Sequence, residues 1–389
     1  MADLTPAQQN LIMRQLLLQS SPKMLKKVGT FSSTNLGDSI RAKLFNVGII
    51  TRVWAKGTLT YNTSATPPTN ISPFGAQKAI RKIRLTDFDS SDRINISPEL
   101  LSLRNSLRRN IAPFEEYPVV GLNNVADTDY SPGKIRSTPV ITASQNGLTV
   151  DFWVEIPVAY DPDAGDLRGM LLAQSAVGEL FVVFDLASSI SSNTVGDDVL
   201  FSGGTTGATF VSVSFDVYQE FLIPQADQSG VVPLPALDIL TVYEIIGFQS
   251  TDNIALNQEK LVSFPNARAV QGVYWTYLNN LFFGGTTGGV SAANDLAIVR
   301  LIANGNNVLR EYFGVDQLYR ENAIANKAFV PKAGTYFWDF RMTPIRTNLF
   351  GNIQAGFTPQ GTIVTPRFDV AYESLYLKGA ALSGLSQSG

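Results

Sequence analysis

An internal repeat constrains this chain more than any other feature of its sequence. A run that ends in Arg84-Leu85 is followed by a polar turn, a short second run and one helical pattern, and a looser copy of this order has Arg300-Leu301 in the same place. The second copy turns through Asn304-Gly305, a pair that favours a type I′ hairpin because both central positions need positive φ. The sequence therefore predicts a hairpin followed by a short helix in each half.

Matches further along the chain keep the same order. Gly147 aligns with Gly334, and the tripeptide Phe215-Asp216-Val217 returns as Phe368-Asp369-Val370. The spacing between copies shrinks along the chain, so the first copy carries two extra segments of about 30 residues each, a length that loops accommodate at low entropic cost. We predict two tandem domains of one architecture, the first with longer loops.

Composition indicates an all-β class for both domains. A chain of 389 residues with 44% hydrophobic content can bury two cores, and its Gly 31 and Pro 20 suit many short strands joined by turns. Each half contains about eight strand-like runs and one short helix, which fits an all-β pair of tandem eight-stranded jelly rolls. Tryptophan occurs only in strand-like runs, where we expect it in the core: Trp54, Trp153, Trp275 and Trp338.

The absence of cysteine and histidine excludes several kinds of site. No disulfide, thiolate nucleophile, Cys-ligated zinc or Ser-His-Asp arrangement is possible, so we predict neither an enzyme nor a cofactor. Charged residues make up 16% of the chain, with a net charge of −3, which argues against specific nucleic-acid binding. The sequence has no apolar run of transmembrane length and no signal-peptide pattern, so we expect synthesis in a cytoplasm.

Four short stretches resemble ligand-binding loops in composition but lack residues that such loops require. The acidic turn at 87–92 does not continue as an EF-hand loop, and the turn at 161–166 offers at most a weak calcium site. The glycine-rich stretches 203–207 and 284–289 lack the lysine of a phosphate-binding loop. We predict no metal or nucleotide site, and leave open whether the acidic turns bind calcium.

The first 28 residues differ from the rest of the chain. Thr5, Pro6 and Gln8 form a helix start with a capping box, and apolar residues fall all round the helix that follows. Basic residues outnumber acidic ones here. A solvated helix, a subunit contact, anionic lipid and nucleic acid remain alternatives. We take these residues as the candidate contact set: Leu11, Ile12, Arg14, Leu16, Lys23, Lys26 and Lys27.

The predicted organisation has five segments. Prolines at 224, 233 and 235 indicate an extended, stiff connection between the domains. The segments are a helical arm at 1–28, a first jelly roll at 29–223 with two long insertions, a proline-rich linker at 224–238, a second jelly roll at 239–378 and a mobile tail at 379–389.

Two short motifs and the duplicated layout resemble a known family. The opening Leu4-Thr5-Pro6-Ala7-Gln8-Gln9, the later Asn46-Val47-Gly48-Ile49-Ile50 and the paired domains are similar to the major capsid proteins of tectiviruses, tailless bacteriophages with an internal membrane. The resemblance implies a double jelly roll that forms homotrimers, which act as pseudo-hexameric tiles of an icosahedral virion capsid. It also implies outward-facing insertions, an N-terminal helix at the base, and contacts with neighbouring trimers, minor capsid proteins and the internal viral membrane.

Two alternatives follow from the all-β prediction alone. One is a virion spike or another carbohydrate- or receptor-binding jelly-roll protein, and the other is a β-sandwich glycoside hydrolase that uses a pair of carboxylates. Neither explains a duplicated domain joined by a stiff linker. A capsid tile, by contrast, needs no catalytic group and no disulfide.

Overall fold

The computed structural model describes most of the chain in eleven ranges. They are residues 4–72, 74–109, 141–175, 178–203, 207–226, 230–251, 254–264, 268–283, 296–325, 334–347 and 351–377. The predicted tail at 379–389, the glycine-rich stretch at 284–289 and most of the first insertion lie outside them.

The first half of the chain contains two helices and a set of long and short strands. In chain order these are α1 (Pro6–Ser20), β1 (Lys23–Ser33), β2 (Ser39–Lys43), β3 (Ile49–Thr63), β4 (Asn70–Ile71), β5 (Ile80–Thr86), β6 (Asp92–Ile96), α2 (Pro98–Arg109), β7 (Leu148–Pro157), β8 (Leu171–Leu172), β9 (Phe181–Leu186), β10 (Ser191–Ser192), β11 (Phe201–Ser202) and β12 (Ala208–Leu222).

The second half repeats this pattern with shorter connections. Its elements are α3 (Ala236–Leu240), β13 (Thr241–Ser250), β14 (Lys260–Ser263), β15 (Ala269–Asn279), β16 (Phe282–Phe283), β17 (Leu296–Ala303), β18 (Asn307–Phe313), α4 (Asp316–Ala325), β19 (Thr335–Asp339), β20 (Ile345–Arg346), β21 (Ile353–Pro359) and β22 (Arg367–Leu377).

Each half folds into two sheets packed face to face. In the first half, the front sheet has the order β1-β12-β3-β7 and the back sheet the order β2-β9-β5-β6. In the second half, the front sheet is β13-β22-β15-β19 and the back sheet is β14-β21-β17-β18. This interleaved order is that of a jelly roll. The prediction of two tandem eight-stranded jelly rolls is confirmed.

One strand pair joins the two jelly rolls. The last strand of the first back sheet, β6, runs parallel to β13, with Ile94 opposite Ile245 and Asn95 opposite Ile246. The first back sheet and the second front sheet are therefore hydrogen-bonded into one continuous sheet. Helix α3 occupies the end of the predicted linker, which is thus not extended throughout.

Aromatic side chains fill both cores. Phe184 and Phe215 stack at 4.2 Å between ring centroids in the first core, and Trp275 lies 4.4 Å from Trp338 in the second. The core prediction is wrong for Trp54 and Trp153, which are half-buried on the outer face of the first front sheet. Alternate residues of a strand face opposite sides of a sheet, and the neighbours of each tryptophan occupy the core face.

One predicted repeat feature holds and another is out of register. Asn304 and Gly305 both have positive φ between β17 and β18, as the Asn-Gly turn requires. In the first front sheet, Phe152 pairs with Gly57. In the second, the Gly334 carbonyl accepts a hydrogen bond from the Tyr277 backbone N–H. Tyr277 is equivalent to Gly57, because the two pair with the matched residues Phe368 and Phe215. Phe152, rather than Gly147, is therefore the equivalent of Gly334.

The predicted helical arm at 1–28 is too long. Helix α1 ends at Ser20, and Lys23–Ser33 is strand β1, an edge strand of the first front sheet. Pro22 comes directly after the C-cap residue Ser21 and cannot continue the helix, since proline has no backbone N–H to donate. The first jelly roll thus begins at Lys23 rather than at residue 29.

Strand directions separate α1 from the long insertions. Strand β12 is antiparallel to β1, and β7 is antiparallel to β3, which is itself parallel to β1. Both β7 and β12 therefore start at the end of the jelly roll opposite α1. The residues described immediately before these strands, 141–147 before β7 and Gly207 before β12, therefore lie at that far end. The second insertion is divided, because residues 158–180 follow β7 at the α1 end.

Candidate assembly surface

One face of α1 is fixed to the body of the protein by polar contacts. Thr5 Oγ1 accepts from the Gln8 backbone N–H and the Gln8 side chain accepts from the Thr5 N–H, so the predicted capping box is present. Asn10 donates to Asp238 Oδ1 at 2.9 Å, and Arg14 donates to both carboxylate oxygens of Asp238 at 2.5 and 2.6 Å. The helix is thereby held against α3, at the start of the second jelly roll.

Leu17 anchors the same helix by apolar packing. Its side chain is fully buried in a small cluster separate from the main core. That cluster combines residues from β3, β12 and the connection after β7: Ile49, Ala159, Leu167, Met170 and Leu222. Burial of a leucine of this kind stabilises by about 1.5–3 kcal/mol relative to exposure.

The opposite face of α1 carries several exposed apolar side chains. Leu11, Ile12 and Leu16 are 50%, 41% and 45% exposed, and Met13 and Leu18 are each 37% exposed. They share the outward side of the helix with the exposed glutamines Gln8, Gln15 and Gln19, so this surface is apolar in part and not continuous. Five exposed apolar side chains on one short helix are more than scattered surface residues, and such a group commonly marks a contact with protein or membrane. We call this surface the α1 patch.

The predicted basic residues contact partners within the same chain. Lys23 Nζ lies 3.0 Å from Glu220 and Lys27 Nζ lies 2.8 Å from Asp216, while Lys26 Nζ lies over the Phe45 ring. The hydrogen bond between Lys27 and Asp216 raises the pKa of the lysine and lowers the pKa of the aspartate. Arg14 is bound to Asp238 in the same way. Much of the predicted positive charge is therefore matched inside the subunit, and Lys23, Lys26 and Lys27 lie on β1 rather than on a helix.

A buried ionic cluster lies where α2 meets the second jelly roll. Glu373 on β22 is fully buried and accepts hydrogen bonds from Arg104 at 3.0 Å, Arg108 at 2.6 Å and Tyr243 at 2.5 Å. Tyr274 donates at 2.9 Å to Oε2, the oxygen that also accepts from Arg108. We call these residues the Glu373 cluster. It links a helix of the first jelly roll to a strand of the second through charge-assisted bonds.

The electrostatics of this cluster favour the charged carboxylate. Burial alone would raise the pKa of Glu373, but Arg108 and Arg104 outweigh that effect and lower the pKa to about 2. Burial raises the pKa of the Tyr243 and Tyr274 hydroxyls well above their usual value, so both remain donors. An ion pair with this many hydrogen bonds fixes the relative orientation of the two jelly rolls.

A cavity of about 530 Å³ lies beside this link, between the jelly rolls. Its charged side chains bond mainly to one another: Lys78 lies 2.8 Å from Glu99, and Arg367 lies 2.7 Å from Asp198. Four basic and three acidic side chains line its wall. The arrangement strengthens the contact between the jelly rolls and favours no ligand of one charge.

Sequence reasoning found α1 and missed the Glu373 cluster. Arg104 and Arg108 are four residues apart, so they share one helix face, and the leucines Leu100, Leu103 and Leu107 lie nearby on the same helix. Two arginines beside a leucine stripe could have indicated a buried anionic partner. The sequence could not indicate that the partner is Glu373, which lies 265 residues further along the chain.

Two further findings concern membrane-spanning helices and metal sites. Within the described ranges, no helix is long and apolar enough to cross a bilayer. Over the same residues, no three carboxylates are placed so that they could hold a metal ion together. In the turn at 161–166, Asp166 bonds to Arg168 at 2.7 Å.

Comparison with known proteins gives one family match and one relative along most of the chain. Residues 4–225 match the family described as P3 major capsid protein N-terminal. The major capsid protein P3 of Enterobacteria phage PRD1 is 25% identical over 402 residues, which cover 95% of this chain and 94% of that protein.

Solved structures share the fold at lower identity. The major capsid protein of Sulfolobus Turreted Icosahedral Virus has a TM-score of 0.62 at 11% identity, covering 94% of this chain and 99% of that one. VP54 of PBCV-1 has a TM-score of 0.55 at 11% identity, covering 91% and 94%. At such identities the likeness concerns the fold alone.

Proposed function

We propose, on the premise that this chain belongs to the family of P3 major capsid proteins, that three copies associate into a closed tile of an icosahedral shell. The chain is a major capsid protein of the kind found in icosahedral phages with an internal membrane. Three subunits would bring six jelly rolls around one axis, a shape suited to a hexagonal lattice. Family membership also argues against the spike and glycoside hydrolase alternatives.

The observation that carries the proposal is the fixed relation between the two jelly rolls. The β6–β13 pairing and the Glu373 cluster hold them side by side in one block. A subunit that contributes two similar lobes at a fixed angle can complete a six-lobed ring with only three copies. A flexible pair of domains could not specify that ring.

The α1 patch is the proposed contact below the tile. It lies at the end opposite the starts of β7 and β12, and that far end would face outward in the shell. Its apolar side chains suit neighbouring tiles and the lipid surface of the internal membrane. Because Lys23 and Lys27 already pair with acids, the contact depends on apolar area and is weakly sensitive to salt. Assembly takes place in the host cytoplasm, where a chain without cysteine needs no disulfide.

Light scattering tests the tile and the patch together. We expect the purified chain at three times 42.3 kDa, or about 127 kDa. The double variant Leu11→Ser with Leu16→Ser should keep that mass and lose assembly into particles. Leu256→Ser, a change at an exposed leucine in the β13–β14 connection, serves as the control. A monomeric wild type would contradict the tile, and normal particles from the double variant would contradict the role of the patch.

A further inference from the structure

Two strand edges stand out once the jelly rolls are compared. Strand β6 ends the first back sheet, yet it pairs with β13 of the second jelly roll. Its equivalent, β18, ends the second back sheet with no further strand beside it among the described residues. The equivalent of β13 is β1, which likewise stands at an edge of its sheet in the described structure. The chain thus makes one such strand-edge contact within itself, between β6 and β13. The strands that would form the equivalent contact, β18 and β1, each have an edge without a neighbouring strand in the described structure.

The repeat gives the register on β18. Leu85 pairs with Ile94 in the first hairpin, and Leu301 pairs with Arg310 in the second. Since Leu85 and Leu301 are equivalent, Arg310 occupies the position of Ile94, the residue that lies opposite the second jelly roll. The next residue, Glu311, is exposed.

The repeat also gives the register on β1. The Phe215 and Phe368 match places Glu220 and Glu373 at equivalent positions, five residues further along β12 and β22. Glu373 pairs with Ile245 and Glu220 pairs with Leu25. Leu25 thus occupies the position of Ile245, and it is 61% exposed.

The helices beside these edges, α2 and α4, differ in how much of their surface is covered. Asn105 on α2 donates to the Glu155 carbonyl at 2.9 Å, and Asn322 on α4 donates to the Phe337 carbonyl at 2.6 Å, so both helices sit alike on their own jelly rolls. Helix α2 also packs on β15 and β22 of the second jelly roll. Helix α4 leaves Ile324 72% exposed.

We propose that β18 and α4 of one subunit dock against β1 and the outer face of the first front sheet of a second copy of this chain. The contact would repeat, between copies, the one that β6 and α2 make with β13 and the second front sheet. This inference rests on the proposed trimer and names the surface that closes it.

Charge and apolar area on the two surfaces complement each other. In the inferred register Lys26 of one copy lies beside Glu311 of the next, as Ile246 lies beside Asn95 within the chain. Phe313, 67% exposed at the end of β18, and Ile324 supply the apolar area.

The receiving face is partly aromatic. Trp153 and Tyr218 lie 6.3 Å apart between ring centroids on the outer face of the first front sheet, and both are half-buried. Aromatic residues are frequent where binding energy concentrates in interfaces. The same contact thus accounts for the exposed residues of α4 and for tryptophans outside the core.

A designed disulfide tests the register directly, because the chain contains no cysteine of its own. Residues paired across adjacent strands lie within the Cα separation that a disulfide spans. We expect Leu25→Cys with Arg310→Cys to give, under mild oxidation, covalent species up to three chains and none larger. Either single variant, and the mismatched pair Leu256→Cys with Arg310→Cys, should give at most traces.

Mass measurement on the same samples separates the two proposals. A trimeric protein that forms no more cross-link in the matched pair than in the mismatched pair would overturn the register and leave the tile intact. A monomeric wild type without cross-links would overturn both.

A charge swap provides a second, non-covalent readout. Lys26→Glu and Glu311→Lys should each weaken the trimer about tenfold or more, and the double variant should recover most of that loss. Lys43→Glu, at an exposed position on β2, is the matched control and should leave the mass unchanged. Singles that match the wild type, or a double variant weaker than both singles, would contradict the proposed pairing.

Discussion

Helices α2 and α4 occupy the same place in their jelly rolls and have opposite surroundings. The side chains of α2 are buried along nearly its whole described length, between the two jelly rolls. Helix α4 buries Leu318, Tyr319 and Asn322 against its own jelly roll and exposes the rest of its surface. The two jelly rolls share one fold. Their helices differ because, among the described residues, α2 packs against the other jelly roll and α4 packs mainly against its own.

The difference extends to charge. By the asparagine match, Glu321 on α4 stands where Arg104 stands on α2, and it bonds to Arg310 and Tyr312 of its own jelly roll. On the sheet side, Glu220 stands where Glu373 stands and is held by Lys23 and the hydroxyl of Thr51. The internal contact therefore uses a buried ion pair, whereas the equivalent surfaces elsewhere satisfy their charges locally. A contact that forms between separate copies avoids the cost of burying unpaired charge before association.

The largest expected effect comes from breaking the internal contact at its carboxylate. Glu373→Gln leaves Arg104 and Arg108 buried without an acid, and such a change typically costs about 3–5 kcal/mol. We expect a markedly lower thermal midpoint in calorimetry. The control is Glu179→Gln, which removes an exposed ion pair with Lys43 and should cost less than about 1 kcal/mol. Equal midpoints for the two variants would contradict the importance of the cluster.

A matched pair of apolar truncations compares the helices themselves. Leu107→Ala removes a buried side chain from α2 and should destabilise the subunit by about 2–5 kcal/mol. Ile324→Ala, the equivalent change on α4, should alter the stability of the dissociated subunit by less than about 0.5 kcal/mol. Chemical denaturation below the trimer dissociation constant measures both. If Ile324→Ala cost the isolated subunit as much as Leu107→Ala, α4 would not be an open surface.

Acid should weaken the internal contact. The pKa of Glu373 is lowered to about 2 from an ordinary 4.5, so its contribution is complete above pH 4.5 and is lost as the pH falls toward 2. The loss should be on the order of 2 kcal/mol by about pH 3. Denaturation of the wild type and of Glu373→Gln across this range should converge as the pH falls. Parallel curves would show that another group dominates the acid response.

The repeat was visible in the sequence where strand position is fixed by core packing. Arg84-Leu85 and Arg300-Leu301 lie in equivalent strands, as do Phe215 and Phe368, because each copy needs the same residues to face its core. Strand β1 was not recognisable, since an edge strand exposed along most of its first half lacks the alternation that marks burial. The alignment of Gly147 with Gly334 was wrong because a glycine before a strand indicates a turn. It does not determine which residues of the strand pair across the sheet.

The candidate surface was only partly accessible to the same reasoning. The capping box fixed where α1 begins, and its apolar residues predicted exposure because they fall all round the helix. That Arg14 would bind Asp238 and that Lys23 and Lys27 would pair with β12 could not be read from the sequence, since those partners lie about 190 or more residues away in a register set by tertiary pairing.

The position of β12 between β1 and β3 has a consequence for biosynthesis. Neither neighbour can complete its hydrogen bonds until the chain has been translated as far as Leu222, roughly 190 residues after Ser33. At about 5–20 residues per second, the first strand waits on the order of 10–40 s for its partner. During that time an unpaired strand edge is open to other nascent chains. Lysines along β1 are the kind of residue that keeps such an edge from aggregating before its own partner leaves the ribosome.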